Sequence, residues 1–345
     1  MISFRYHVVT LISVFLALAV GIALGGGPLQ GEVDDSLVGQ IEADRARKAA
    51  LGDRISDLRT DVRFGDQFAA DVAPEVLGDA LEGSAVAVML LPDANDALVP
   101  DLTELVEEAG GTVAANYRLS AGLLDAEQRQ LIDELGKQLV DGADGLSLVG
   151  DPSAYERIGQ VIGRAVGTTG EPTSLDAGAE ALQSGLTTAE LIGSSGSPDT
   201  LADLVLVIAP PGIPEDAEDS TDSYDRSGAG EILAGILTGV DAQTDGVVLA
   251  GPTSAAEQDG ALRSLLAEVG AARQVSTVDP VNLTGGKIST VLALAEQAAG
   301  GVGHYSAAGG SAGALPPRSG SAAGTGDTGD TDGAGSADSG DDPQG

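Results

Sequence analysis

Few side chains in this sequence are able to do chemistry. It holds two histidines, His7 and His304, two methionines, Met1 and Met89, and neither cysteine nor tryptophan. Without thiolates, a zinc finger, an iron–sulfur cluster and a disulfide scaffold are excluded. A Ser-His-Asp site would have to use His304, because His7 borders an apolar segment. Gly285-Gly286-Lys287 looks like the end of a phosphate loop, but Val281 stands where the earlier glycine belongs and Ile288 where Ser or Thr belongs. A helix N-terminus with Thr284 as cap is the sounder reading. No strand exit carries G-x-G-x-x-G. Between Pro210 and Gly228 lie Glu215, Asp216, Glu218, Asp219, Asp222 and Asp225. Their spacing is not that of an EF-hand, so they read as a solvated loop. Asp330-Thr331-Asp332-Gly333 reads as solvating too. No catalytic, cofactor-binding or metal-ligating residue is assigned, and the chain is expected not to be an enzyme.

The elements that would position these residues follow from charge and hydropathy. Seventeen basic residues face 53 acidic ones, a formal net charge of −36. That balance repels phosphate and excludes a nucleic-acid partner. Five tyrosines and four phenylalanines in 345 residues cannot furnish the aromatic girdles of a transmembrane β-barrel.

Residues 8–27 form a predicted transmembrane signal-anchor. Val8 to Leu24 carries no charge, Arg5 precedes it, and the next basic residue is Arg45. The positive-inside bias places residues 1–7 in the cytoplasm and the bulk of the chain outside, in the cell membrane or envelope. The rival reading is a cleaved signal peptide, with Ala23-Leu24-Gly25 as the cleavage site. Ala17, Gly21 and Gly25 recur every four residues, as on a small-residue face where two helices approach.

Residues 32–73 read as a coiled-coil stalk. With Leu37, Leu51 and Leu58 at d, Ile41, Ile55 and Val62 fall at a, the pattern of a parallel two-stranded coil. Asp44 and Lys48 interrupt the seam, Gly65 weakens its end, and Pro74 closes it. In a parallel homodimer Arg54 would face Arg59 of its mate and Asp61 would face Asp66, pairs that repel. Membrane tethering favours a homo-oligomer all the same, and a different coiled-coil partner protein or packing on the chain's own head are the alternatives.

Residues 84–305 read as an α/β head with a parallel sheet, as one sheet or as two halves, 84–166 and 203–299. Predicted strands are Ala85–Leu91, Thr112–Ala115, Leu146–Val149, Leu204–Ala209, Gly246–Ala250 and Gln274–Val278. Helical patterns lie near Leu98–Glu108, Ala126–Val140, Ser153–Val166, Leu175–Leu191, Gly230–Val240, Ala255–Val269 and Lys287–Ala298. Continuous apolar strands separated by helices mean strands buried on both faces. Prolines 92, 210, 211 and 252 mark strand exits, since proline cannot continue a central strand. Gly193–Pro198 and Pro210–Gly228 are expected loops. Residues 306–345, rich in Gly, Ser and Asp, are expected to form a disordered acidic tail.

The sequence resembles the mycobacterial copper transport protein B family of actinobacterial envelope proteins. The resemblance rests on Met1-Ile2-Ser3-Phe4-Arg5-Tyr6-His7-Val8-Val9 running into the apolar segment. It rests equally on Ser276-Thr277-Val278-Asp279, Ser289-Thr290-Val291-Leu292-Ala293-Leu294, Gly303-His304-Tyr305 and Leu315-Pro316-Pro317. Ser306 stands where the family tends to have glycine. The resemblance implies a non-enzymatic envelope protein in copper efflux and homeostasis, or, as in a corynebacterial cell-division branch, a scaffold linking a membrane partner to peptidoglycan remodelling.

The residues themselves weigh on that choice. Copper prefers thiolate, thioether and imidazole, and Met1, Met89, His7 and His304 show no pair at ligand spacing. Met89 falls in a predicted buried strand. A pore needs several spans or a closed barrel, whereas one helix is predicted. Copper as a transported ion, without a tight site, is the expectation. A small-ligand module using the crevice at the sheet's carboxyl edge is a further reading.

Overall fold

A computed structural model describes residues 4–25, 29–143, 145–196, 198–212, 228–257, 260–306 and 312–316. The acidic residues Glu215 to Asp225, Met1 and the tail beyond Pro316 lie outside the described residues. The chain divides into two units, Met1–Phe68 and Ala69–Gly345.

The first unit is helical. Helix α1 (Phe4–Gly25) contains Arg5–Ala23, a stretch long and apolar enough to cross a membrane. Helix α2 (Leu29–Leu77) begins in this unit. Its apolar positions Ile41, Leu51, Ile55, Leu58 and Val62 are all about half exposed in the single chain, from 48% to 59%. Pro74 does not close α2, as the sequence suggested. The helix continues to Leu77 because Ala73 and Leu77 are buried in the second unit, and the Pro74 carbonyl accepts the Gly78 N–H at 3.0 Å.

In the second unit the chain runs β1 (Ala85–Leu90), α3 (Leu98–Glu108), β2 (Thr112–Leu119), α4 (Arg129–Gly142), α5 (Ala154–Val166), β3 (Thr173–Ser174), α6 (Ala177–Thr188), β4 (Ile192–Ser195), β5 (Thr200–Leu201), β6 (Leu204–Ile208), α7 (Ala229–Asp241), β7 (Gly246–Ala250), α8 (Ala261–Ala267), β8 (Ser276–Val278), α9 (Thr284–Ala298) and β9 (His304–Tyr305). Seven strands form one sheet in the order β4-β2-β1-β6-β7-β8-β9. Every neighbouring pair is parallel except β2 and β4. Within it β2-β1-β6-β7-β8 follows the doubly wound order 2-1-3-4-5, whose winding reverses between its first and third strands, here β1 and β6. β3 and β5 make a separate antiparallel ribbon.

Strands β1, β6 and β7 are buried at every residue. Each is an uninterrupted apolar run, and helices cover both faces. Val86, Val88, Leu90, Leu206 and Ile208 meet α3, α9 and the end of α2. Ala87, Met89, Val205, Val207 and Leu249 meet α5, α7, α8 and Ile132 of α4. Helices α5 and α7 cross through glycines. A Cβ on Gly159 would overlap the Ile236 carbonyl, and one on Gly239 the Glu156 carbonyl. Only glycine permits backbones this close.

Several expectations change. Leu146–Val149 is not a strand. Its backbone is met by side chains: Gln160 bridges Val149 N–H (2.7 Å) and C=O (3.0 Å), and Gln243 donates to the Ser147 carbonyl. The expected loop at Gly193–Pro198 instead begins with most of β4, an antiparallel edge strand on β2. Helix α9 starts at Thr284 with Leu283 as its N-cap, so Thr284 is not the cap. The folded body also reaches past Tyr305. Ala312 N–H donates to the His304 carbonyl, Ser306 N–H to Gly313, and Pro316 is buried.

Candidate functional site

The carboxyl ends of the parallel strands are where a doubly wound sheet holds ligands. At the ends of β1 and β2 lies a cavity of about 240 Å³, lined by Leu90, Asp96, Val99, Asn116, Arg118 and Ser195 among others. The register explains the grouping. Leu90 pairs with Arg118, and Asn116 pairs with Val88 on one side and Ser195 on the other. Asn116 and Arg118 therefore share the face toward α3, just where β2 runs out of apolar residues. Arg118 Nη2 lies 2.9 Å from Asp96 Oδ2, with the two side chains 54% and 68% exposed. Asn116 Oδ1 is buried and has no hydrogen-bond partner. None of these residues stood out in the sequence, where the apolar pattern of this strand stops at Ala115.

Two larger depressions lie along α7. One, of about 520 Å³, is bounded by Arg129, Tyr155, Glu231 and Gly228. The other, of about 330 Å³, contains Asp151, Glu156 and Asp241. Burial pushes the Asp241 carboxyl up to about 6.

The residues with metal-binding chemistry fall on different elements. His7 lies on α1. Met89 is 1% exposed in the core of β1. His304 is built into the sheet edge. Its Nε2 lies 2.9 Å from the Ala272 carbonyl and its Nδ1 3.0 Å from Thr277 Oγ1. A carbonyl only accepts, so Nε2 carries the proton and Nδ1 accepts from the threonine hydroxyl. Both ring nitrogens are thus occupied. Lys287 of the Gly-Gly-Lys sequence pairs with Asp101 of α3, joining two helices. Among the described residues no group of three or more His, Asp or Glu is arranged to hold a metal ion.

The residues around His304 form one clasp. Ser276 Oγ accepts from Gln297 Nε2 at 2.9 Å and from Gly303 N–H at 3.1 Å. Ser306 Oγ donates to Asp279 Oδ1 at 3.0 Å. Tyr305 donates to Glu296 at 2.5 Å, and burial together with that carboxylate holds its hydroxyl well above the ordinary range. Ser289 Oγ donates to the Gly285 and Ala314 carbonyls. A Cβ on Gly303 would overlap the Tyr305 ring. The clasp thus fastens β9 and residues 312–316 to β8 and α9.

A parallel-rich α/β head preceded by a helix able to cross a membrane defines the class: an α/β protein with a candidate N-terminal membrane anchor. The comparisons give the family. Residues 1–317 match the family described as copper transport outer membrane protein, MctB, and the chain belongs to it. Proteins named copper transporter MctB from Mycobacterium tuberculosis and Mycobacterium bovis are each 28% identical to it over 321 residues, covering 88% of this chain and 96% of theirs. The protein of that name from Mycobacterium leprae is 28% identical over 333 residues.

Proposed function

We propose that this chain is a single-span envelope protein with a copper-transport-related role, its N-terminus cytoplasmic and its α/β head outside. The observation that carries this reading is the family match over residues 1–317, with relatives named as copper transporters along nearly their whole length. Helix α1 supports the anchor, and Arg5 before it supports the orientation. The head acts without catalysis and without a tight copper site of its own. Met89 is core and both nitrogens of His304 are engaged, so copper passes by way of an assembly. The half-exposed seam Ile41, Leu51, Ile55, Leu58 and Val62 on α2 supports homo-oligomerisation.

That same seam favours a second reading, an envelope or divisome scaffold whose stalk recruits a partner and passes its state to peptidoglycan remodelling. One deletion strain separates the two. Raised cell copper and lowered copper tolerance, restored by the full chain, are expected. Unchanged copper content with misshapen septa would replace the copper role by the scaffold role.

A further inference from the structure

The charges beside the α2 seam carry a direction that the copper-related reading does not use. With Ile41, Ile55 and Val62 at a and Leu51 and Leu58 at d, the charged e and g positions are Arg45, Arg47, Arg54 and Arg59 in the first half of the seam. In the second half they are Asp61 and Asp66. Such flanking charges decide which partner a coiled-coil helix takes and in which orientation.

Two copies laid parallel and in register set like against like. Arg54 faces Arg59 of its mate and Asp61 faces Asp66. Within the seam Asp44 stacks on Asp44 and Lys48 on Lys48. Turning one copy around, so that Ile55 packs on the mate's Leu58 and Leu51 on its Val62, removes all of these contacts. In an antiparallel pair g faces g and e faces e. Arg54 then faces the mate's Asp61, twice by symmetry, and Arg45 faces Asp66. Arg47 comes to Phe68, whose ring is 60% exposed in the single chain and offers its face to a guanidinium. Lys48 falls opposite Gly65, which leaves its stem room to reach solvent, and Asp44 falls opposite Ala69. The glycine that weakens a parallel coil thus has a use in an antiparallel one. Sliding this register by a heptad brings back a like pair, Arg54 on Arg54 in one direction and Asp61 on Asp61 in the other. The four apolar residues that meet at the centre, Leu51, Ile55, Leu58 and Val62, are 48% to 59% exposed in the single chain.

We propose that the occupant of the α2 seam is a second copy of this chain running antiparallel, in the register that pairs Ile55 with Leu58 and Arg54 with Asp61. This rests on the homo-oligomer reading and adds its direction. Because α1 precedes α2, the two anchors stand at opposite ends of the pair. In one membrane the paired helices therefore run along the surface instead of rising from it as a two-stranded stalk.

Charge reversal separates the two directions by sign. The full-length chain in detergent micelles, followed by sedimentation equilibrium, should self-associate roughly tenfold more weakly with Arg54→Glu or with Asp61→Arg, since each turns two attractive pairs into repulsive ones. The combined Arg54→Glu/Asp61→Arg variant should return to the parent's affinity. A parallel pair requires the reverse, tighter association of each single variant, because each relieves a like-charge contact. The chain has no cysteine, so oxidising a mixture of chains carrying Lys48→Cys and chains carrying Gly65→Cys reads the register directly. A disulfide between the two kinds of chain is expected, with the head's melting temperature unchanged in every variant. Tighter association of the single variants, no effect of either reversal, or disulfides between like chains alone would overturn the antiparallel pair and leave the oligomer standing. A parent that stays monomeric would overturn both.

Discussion

Replacing His304 by alanine distinguishes a structural imidazole from a copper ligand. In the fold the ring joins Thr277 on β8 to the Ala272 carbonyl, at 3.0 and 2.9 Å. Two hydrogen bonds at about 1 kcal/mol net each are lost. Thr277 is only 3% exposed, so its stranded hydroxyl adds roughly another 1 kcal/mol or more of desolvation cost. The expected loss is about 3 kcal/mol, or roughly 6–12 °C in melting temperature for a unit of this size. Calorimetry of the full-length protein with a copper chelator present reads it directly, and a second scan with Cu(I) is the control. The parent and His304→Ala should differ by this amount in both scans, with no extra copper-dependent gap. A variant that melts with the parent when copper is chelated, but loses a copper-induced rise seen in the parent, would refute the reasoning and make His304 a ligand.

Three further outcomes are expected. Gly239→Ala drives a methyl into the Glu156 carbonyl and should cost about 1–3 kcal/mol by overpacking, whereas Gly52→Ala, with nothing within 4 Å, should gain a few tenths to about 1 kcal/mol from helix propensity; urea midpoints that move the same way would contradict the close crossing. Asp241, held at about 6 against an ordinary 3.8, contributes stability that is full below about pH 4 and lost as pH rises through 6, so Asp241→Asn should stabilise the protein at pH 7 by up to about 2–3 kcal/mol and flatten the curve between. Parallel stability curves for the two proteins over that interval would show that Asp241 is not desolvated. Ile55→Asp on α2 should abolish self-association in sedimentation runs while leaving the head's melting temperature unchanged, and persistence of the oligomer would remove the seam from it.

The central strands were readable because burial on both faces leaves an unmistakable mark: AVAVML, LVLVI and GVVLA are apolar without a break. Helices α3 and α7 were placed within a residue of their observed ends by apolar periodicity. The edges were not readable. β4 is Ile-Gly-Ser-Ser, exposed after its first residue, and it exists because β2 offers unpaired backbone groups, a condition set by tertiary structure. Leu146–Val149 looked like a strand locally, yet Gln160, eleven or more positions away, satisfies its backbone instead. The cavity was missed for a related reason. An apolar-run criterion ends β2 at Ala115, one residue before Asn116, while pairing with β1 and β4 carries the strand on to Leu119. Polar residues at the carboxyl end of a strand carry the information, but only the register shows which face they share.

The family likeness near the C-terminus has a physical meaning that bears on how its function is tested. Ser276, Thr277, Asp279, Ser289, Gly303, His304 and Tyr305 are the residues that make the resemblance recognisable, and they are also the residues of the clasp. Their side chains are spent on one another or on nearby backbone. In this chain those side chains close the sheet's last edge, so a likeness there speaks to fold before it speaks to function. A His304 variant with impaired copper handling in cells is therefore expected from destabilisation alone, because a loss of about 3 kcal/mol is a large part of a domain's total. A copper phenotype can be assigned to chemistry only when the variant protein is present at the parent's level. By the same logic the informative substitutions for copper lie away from the clasp, on the exposed seam of α2 and along α1, in the other unit of the chain.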